Sequence, residues 1–449
     1  MRNLLSWFLA GSLTAAGVAF GAATENTAAD PAVAIFSPLP APKAGPMLLH
    51  VGDRLAICGD SITEQRMYSR LIEDYLTACL PELKVTVRQF GWSGERASGF
   101  LSRMTNDCLR FKPTIATTCY GMNDHEYRPY ENRIGVTYCE NSLAIIEAFR
   151  SHGARVVLGS PGCVGKMPSW VKTASGTVDD LNLSLCTLRN LDIEMAAREG
   201  VTFADVFWPM VTGGAAARRQ FSPEFAIAGR DGVHPGWAGQ AVMAYAYLKA
   251  MGIPGEIGLL KADLKSGGME VSAGHQLVSA QNGVFVVRSQ RYPFCACVPP
   301  GGADNGYPVC GKADPGAGES IQAAMALVPF NHDLNRFTLV ARHASAAYYR
   351  VTWGGAEKVL TGRALTVGVN LAELFPLNPF SAAFAGVDAA VAAKQAFETH
   401  QIKDVFHGGE GKAGMEAAVA RTEKEREPLA RAVAGAVVPV THELRIEPL

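Results

Sequence analysis

The stretch Arg54–Gln65, RLAICGDSITEQ, decides how the first half of the chain folds. It begins with a short apolar run, which is typical of a strand buried in a sheet. Gly59 permits a tight turn after that run. From Met67 onward, apolar residues recur at intervals of three and four, which predicts a helix. Ser61 therefore lies between a strand and a helix, and we expect its hydroxyl at the carboxyl end of the strand.

Similar apolar runs recur after this stretch and predict further buried strands. The five predicted strands are Arg54–Cys58, Val85–Phe90, Thr114–Tyr120, Arg155–Gly159 and Val201–Val206. Helical periodicity lies between and after them, and glycine ends several of the predicted helices. These helices are Tyr68–Cys79, Asn141–Arg150, Leu181–Glu199 and Trp237–Met251. The alternation predicts a doubly wound, mostly parallel α/β sheet, in which functional sites lie at the carboxyl ends of the strands.

The composition divides the chain of 449 residues into five segments. A positive start followed by an apolar run predicts a signal peptide over residues 1–23, with an uncleaved membrane anchor as the alternative. Residues 24–46 are rich in Ala and Pro and are interpreted as a tether. The α/β domain spans 47–255, strand-like segments predict a small β-rich module over 256–378, and Ala-rich patterns predict helices over 379–449. We therefore expect a secreted or periplasmic protein without stable membrane insertion after cleavage.

Charge and cysteine content limit the possible functions. The chain has 41 Lys+Arg and 42 Asp+Glu, so there is no basic footprint for nucleic acid. In an exported chain, the Pro- and Gly-rich loop after Cys295 favours a Cys297–Cys310 disulfide, with Cys295 as the rival partner. Zinc is the other interpretation of this cluster, but no C-x-x-C pair or nearby histidine pair supports it. We predict neither a metal site nor a cofactor.

Polar residues follow the predicted strands at one edge of the sheet. The second strand runs into Gly91–Glu95, the third into Gly121–Asp124, and Asp231–Pro235 lies just before the last helix. Each stretch alone is an ordinary turn. Acyl transfer, however, needs a serine hydroxyl, a histidine that takes its proton, an acid that orients the imidazole, and donors for the oxyanion. Together, the stretches predict such a site.

The motifs GDS, G-x-S-G, G-x-N-D and D-x-x-H-P, in this order, resemble the four blocks of the SGNH hydrolases, or GDSL-type esterases. The match covers about Leu48–Met251, and the layout of the whole chain resembles exported bacterial members with a C-terminal accessory region. The resemblance implies a flavodoxin-like three-layer sandwich. It also implies Ser61 as the nucleophile, His234 as the base and Asp231 as the acid that orients it.

The resemblance further implies an oxyanion hole made by the N–H groups of Ser61 and Gly94 and the side-chain amide of Asn123. Gln89 stands where an asparagine is common in the second block, so Gly91 is an alternative donor. His125 is the alternative base. Trp92, Tyr120 and Trp237 adjoin the blocks and are candidates for stacking on substrate or for core packing.

These residues predict a serine ester hydrolase that forms an acyl-enzyme and cleaves O-acyl esters, above all O-acetyl esters on carbohydrate. The expected partner is a small-molecule or polysaccharide ester. The alternative within enzymes is a lysophospholipase or thioesterase acting on lipid or aryl esters. From another class, the alternative is a non-catalytic carbohydrate-binding protein on the same scaffold.

Overall fold

A computed structural model of the chain describes residues 32–297 and 320–449. The predicted signal peptide and Cys310 therefore lie outside the described residues. Cys297 is disulfide-bonded, whereas Cys295, its rival for the predicted bridge, keeps a free thiol. Within the described ranges, no helix is both long and apolar enough to cross a membrane.

The centre of the α/β domain is a five-stranded sheet of order β2-β1-β3-β4-β5 in which every pair of neighbours is parallel. This sheet confirms the predicted fold class. Its apolar runs form strands because both faces of the sheet are covered and the side chains are removed from water. The strands are β1 Arg54–Gly59, β2 Thr86–Gln89, β3 Ile115–Cys119, β4 Arg155–Gly159 and β5 Thr202–Ala204.

Helices pack on both faces of this sheet. Leu55 and Ile57 of β1 belong to one hydrophobic core, and Ala56 and Cys58 belong to the other. Neighbouring residues of a strand point to opposite faces, so β1 contributes to both cores of a three-layer sandwich. The helices of this domain are α1 Ser61–Glu64, α2 Tyr68–Ala78, α3 Ala97–Asp107, α4 Asn132–Ser151, α5 Val178–Glu199, α6 Phe207–Gln220 and α7 Trp237–Ala250.

Residues from 256 onward build two further sheets. One has the order β13-β10-β6-β7 and the other has the order β12-β11-β14-β9-β8. Their strands are β6 Glu256–Asp263, β7 Gly268–Val271, β8 His275–Gln281, β9 Val284–Ser289, β10 Arg336–Arg342, β11 Tyr348–Trp353, β12 Ala356–Thr361, β13 Val369–Asn370 and β14 Val440–Pro448. The short helices among them are α8 Ile321–Leu327, α9 Phe330–Asp333, α10 Gly362–Val367 and α11 Leu371–Leu374.

The segment of residues 379–449, predicted as a helical region, also contains a strand. It contains α12 Ser381–His400, a π-helical turn Gln401–Phe406 and α13 Gly409–Gly435, but it ends in strand β14 between β9 and β11. His442, Leu444 and Ile446 of β14 are buried and alternate with exposed or partly buried neighbours. This period of two is the pattern of a strand with one buried face.

Helix α12 packs directly on α2 of the α/β domain. Arg70 of α2 forms a bidentate ion pair with the buried Asp388 of α12. The ammonium of Lys394 contacts Glu73 at 3.2 Å and Glu398 at 2.8 Å. Separating α12 from α2 would leave these buried charges without partners, which is strongly destabilising. The C-terminal helices therefore form one packed unit with the α/β domain.

The segment predicted as a tether also packs on the α/β domain where the structure describes it. The ring of Phe36 contacts the rings of Phe207 and Trp208 at centroid distances of 5.7 and 6.3 Å. The N–H of Leu39 donates to Oδ1 of Asn190 at 2.9 Å. The segment packs on the domain because burying an aromatic side chain removes a large apolar surface from water, and this free energy outweighs the conformational entropy that the segment loses.

Candidate active site

Ser61 is the first residue of α1 and is separated from the end of β1 by a single residue. Asp60 precedes it as the N-cap, and its Oδ1 accepts a hydrogen bond from the N–H of Ile62 at 2.9 Å. This cap turns the chain sharply at the carboxyl end of the strand. The partly buried hydroxyl of Ser61 lies 2.8 Å from Nε2 of His234.

His234 and Asp231 lie in the loop between α6 and α7. Oδ2 of Asp231 lies 2.7 Å from Nδ1 of His234, and Oδ1 accepts hydrogen bonds at 2.9 Å from the N–H groups of Val233 and His234. Gly232 has φ +85°, and a Cβ there would lie 2.6 Å from the backbone nitrogen of Lys166. The turn therefore needs glycine, both for its left-handed backbone and for this close approach.

The hydrogen bonds of Asp231 determine its charge and the tautomer of His234. Burial raises the pKa of Asp231, but hydrogen bonds from the backbone of His234 and Val233 and from the imidazole outweigh it and lower the pKa overall. The carboxylate therefore stays ionised and accepts the proton on Nδ1. Nε2 is then left as the acceptor for the hydroxyl proton of Ser61, which is the arrangement that a general base requires.

Asn123 follows β3 and is held by its neighbours. Its amide Nδ2 donates to the carbonyl of Glu95 at 3.0 Å and lies 3.4 Å from Oδ2 of Asp60. Its Oδ1 accepts a hydrogen bond from the hydroxyl of Tyr127 at 3.1 Å. Both amide N–H groups thus have protein acceptors, and the longer contact is to Asp60 in the turn that carries Ser61. A negative charge that develops beside Ser61 would have to replace the 3.4 Å contact with Asp60 as the acceptor for one of these N–H groups.

Gly94 and Gly91 differ in the availability of their N–H groups. The N–H of Gly91 donates to Oε1 of Gln89 at 3.0 Å and is already engaged. Gly94 lies on an exposed turn with φ +75°. Among residues 32–297 and 320–449, no acceptor bonds to the N–H of Gly94. Of the two predicted alternatives, the structure leaves Gly94 as the available donor.

Two buried carboxyl groups support the loops around the site. Burial raises the pKa of Asp60 to about 7 and that of Asp124 to about 6. Asp124 accepts hydrogen bonds from the N–H groups of Ala97 at 3.0 Å and Gly121 at 2.9 Å. It thereby joins the loop after β3 to the start of α3. Both carboxyl groups bind backbone and hold the turns in place.

The alternative base, His125, is fully buried. Its Nδ1 bonds to the carbonyl of Met122, and its Nε2 has no partner among the residues that the structure describes. Burial lowers the pKa of His125 to about 4, so its imidazole is neutral. The hydroxyl of Ser61 instead bonds to Nε2 of His234.

The three aromatic residues proposed from sequence pack against protein groups. The buried hydroxyl of Tyr120 donates to Glu95 at 3.0 Å. The ring of Trp92 contacts the ring of His407 at 4.8 Å. The guanidinium of Arg70 lies 5.5 Å from the ring centre of Trp237. Packing therefore accounts for all three.

Trp170 is an exposed aromatic residue at this site that was not predicted from the sequence. Its side chain is 46% exposed, and its ring stacks on the imidazole of His234 with 5.7 Å between centroids. Trp170 lies in the loop after β4, where the N–H of Gly165 donates to the carbonyl of Gly232 at 2.8 Å. The sequence did contain an indication of this role, because a long loop with Pro, Gly and a tryptophan follows the carboxyl end of a predicted strand. Loops in that position often carry functional residues.

Residues 57–242 match the GDSL-like Lipase/Acylhydrolase family. The fold and the match together place this region, residues 57–242, in the SGNH hydrolase superfamily. By class, the domain that contains this region is a carboxylic ester hydrolase.

Several solved structures are similar to this chain. BT4096, a gut microbial diltiazem-metabolizing enzyme, is 19% identical, with 90% of this chain and 100% of that chain covered and a TM-score of 0.69. The shared fold therefore includes most of the accessory region. Axe2, an acetylxylan esterase from Geobacillus stearothermophilus, is 19% identical over 46% of this chain and 97% of its own, with a TM-score of 0.38. LAE5, an α/β hydrolase from the metagenome of Lake Arreo, Spain, is 21% identical over 46% of this chain and 98% of its own, with a TM-score of 0.37. No curated protein matches the chain.

Proposed function

We propose that this protein hydrolyses O-acyl esters through an acyl-enzyme, with Ser61 as the nucleophile, His234 as the base and Asp231 as the acid that orients it. One observation carries the proposal. The Ser61 hydroxyl, the imidazole and the carboxylate form a continuous chain with distances of 2.8 and 2.7 Å. A hydroxyl is a weak nucleophile until such a base removes its proton.

In the proposed first step, Oγ of Ser61 attacks the carbonyl carbon of the ester while Nε2 of His234 takes the hydroxyl proton. The carbonyl oxygen becomes an oxyanion, and the N–H groups of Ser61 and Gly94 and the amide of Asn123 stabilise it. The tetrahedral intermediate then expels the alcohol, which takes its proton from Nε2. Water repeats the sequence on the acyl-enzyme and releases the acid and the free serine.

The proposed substrates are O-acetyl esters on carbohydrate. Trp170 supports this class, because it presents an exposed ring directly beside His234. A flat ring offers a large, rigid contact area for the apolar face of a sugar. We place the reaction outside the cytoplasm, because the sequence of residues 1–23 predicts a signal peptide. A second candidate class is small molecules other than carbohydrates, since the similarly folded BT4096 metabolizes diltiazem.

The test combines one variant with a substrate panel. Wild-type protein should release acid from acetylated xylan or pectin and should prefer 4-nitrophenyl acetate to the decanoate. A fluorophosphonate should label Ser61. Ser61→Ala should fold, resist labelling and lose about 10⁴- to 10⁶-fold in kcat. Near wild-type turnover in that variant would exclude the serine mechanism, and a preference for the decanoate would favour lipid esters.

A further inference from the structure

The C-terminal region reaches the loop that carries Gly94. Lys403 lies in the π-helical turn between α12 and α13, and its ammonium donates to Oε1 of Glu64 at 2.7 Å. Oε2 of the same carboxylate accepts a hydrogen bond from the backbone N–H of Ser93. Glu64 ends the helix that Ser61 begins, and Ser93 precedes Gly94. The Glu64 carboxylate thus joins the two backbone segments that hold the proposed oxyanion donors.

The ion pair between Glu64 and Lys403 is partly withdrawn from solvent. The side chain of Lys403 is 26% exposed and that of Glu64 is 18% exposed. Burial raises the pKa of Glu64, but hydrogen bonds from Lys403 and Ser93 outweigh it and lower the pKa overall. The ammonium of Lys403 also lies 5.2 Å from the ring centre of Trp92. Charge and ring together fix the position of the cation over the loop.

The loop after β2 is also held tightly against α1. A Cβ at Gly91 would lie 2.2 Å from the backbone nitrogen of Glu64. His407, which follows the π-helical turn, contacts the ring of Trp92, and its Nε2 lies 2.8 Å from Oδ2 of Asp107. The C-terminal segment therefore contacts this loop at Trp92 and, through Glu64, at Ser93. A π-helical turn is rare and is frequently found at functional sites.

We propose that Lys403 is a positioning residue for ester hydrolysis, which acts through Glu64 to hold the N–H of Gly94 beside that of Ser61. This inference rests on the proposed function. Loss of the cation would free the carboxylate that restrains Ser93. Gly94, on its exposed turn, would then lose a restraint on the direction of its N–H group. Misplacement of a donor by about 1 Å is enough to slow an enzyme on the order of 10²-fold.

The experiment compares Lys403→Met with Lys412→Met, which removes an exposed lysine from the same C-terminal region. Lys403→Met should lower kcat on 4-nitrophenyl acetate by about 10- to 100-fold and leave KM nearly unchanged. Labelling of Ser61 by a fluorophosphonate should slow in parallel, because the phosphonyl oxygen uses the same donors. Lys403→Arg should recover most of the activity, and Lys412→Met should match the wild type.

A double-mutant cycle separates positioning from general packing. If Lys403 acts through Glu64, then Lys403→Met should add little to the kcat loss of Glu64→Gln. Independent, multiplying losses would overturn the inference. So would a kcat loss accompanied by a fall in Tm that Lys403→Arg fails to restore. If Lys403→Met does not fold, Glu64→Gln alone tests the inference. Wild-type kcat in Glu64→Gln would show that the ion pair with Lys403 does not position Gly94.

Ser61→Ala distinguishes failure of this inference from failure of the proposed function. Wild-type kcat in Lys403→Met together with inactive Ser61→Ala would refute the positioning role and leave the serine mechanism intact. Activity in Ser61→Ala would refute the serine mechanism, and the positioning role would fall with it.

Discussion

The hydroxyl of Ser61 lies 2.8 Å from Nε2 of His234, although 173 positions separate the two residues in the chain. Ser61 follows the first strand of the sheet, and His234 precedes the helix that completes the α/β domain. The parallel sheet brings both to its carboxyl edge, where the loops that follow its strands converge.

Ser61 and His234 should behave as one unit. We expect His234→Ala to lower kcat by about 10⁴- to 10⁶-fold, because the hydroxyl then has no base. The double variant with Ser61→Ala should be scarcely worse than either single variant. Steady-state kinetics on 4-nitrophenyl acetate measures all three. Losses that multiply in the double variant would mean that the two residues act independently.

Asp231→Asn should lower kcat by about 10²- to 10⁴-fold, less than the loss in Ser61→Ala. The carboxylate accepts hydrogen bonds from Nδ1 of His234 and from two backbone N–H groups. The amide that replaces it would point its own N–H group at one of these donors, and that hydrogen bond would be lost. Asp179→Asn, at an exposed position of α5, is the matched control and should keep wild-type kinetics. Full activity in Asp231→Asn would assign orientation of the imidazole to another group.

Asn123→Ala should lower kcat by about 10²- to 10³-fold, the usual cost of one lost oxyanion donor. KM should change little, since the amide acts mainly on the transition state. Tyr127→Phe should give a smaller loss of the same kind, because the hydroxyl of Tyr127 orients the amide from 3.1 Å away. An increase in KM alone would make Asn123 a residue for substrate binding.

Asp60→Asn should stabilise the protein above neutral pH. Burial raises the pKa of Asp60 from 3.8 to about 7. Between these two pH values, the carboxyl group holds a proton in the folded state and has released it in the unfolded state. The stability of the wild type therefore falls as the pH rises through the window, by about 1.4 kcal/mol per pH unit. Asparagine does not ionise and keeps an acceptor for the N–H of Ile62.

Thermal unfolding at pH 5 and pH 8 measures this effect. The difference in Tm between Asp60→Asn and the wild type should be larger, in favour of the variant, at pH 8. All other titrating groups are shared by the two proteins and cancel in the comparison. An equal difference at both pH values would show that Asp60 is ionised in the folded protein throughout this range.

Trp170→Ala should raise KM for acetylated xylan oligosaccharides by about 10-fold, on the scale of a lost aromatic contact of about 1.5 kcal/mol. Turnover of 4-nitrophenyl acetate serves as the internal control and should be nearly unchanged, because its acetyl group reaches Ser61 without a sugar to stack. An equal loss on both substrates would show that Trp170 supports the imidazole of His234 instead of the substrate.

Helices α3 and α6 of the α/β domain were not predicted from the sequence, because the periodicity of each is hidden. The inward positions of α3 include Arg103 and Asp107, which are buried because they pair with each other and Arg103 also pairs with Glu95. Charged residues in the buried stripe conceal its period. In α6, Pro209 and the following glycines read as helix breakers, but proline is tolerated in the first turn of a helix.

The five strands of the sheet, the turn that carries Ser61 and the order of the four blocks were determined by the sequence itself. Strand periodicity, apolar runs and turn residues act over a few neighbouring positions and so can be read locally. Only the tertiary structure decided that Trp170 stacks on His234, that β14 completes a sheet, and that Lys403 reaches Glu64 across 339 positions. Contacts of this kind depend on how separate layers pack, and packing between distant segments leaves no local pattern in the chain.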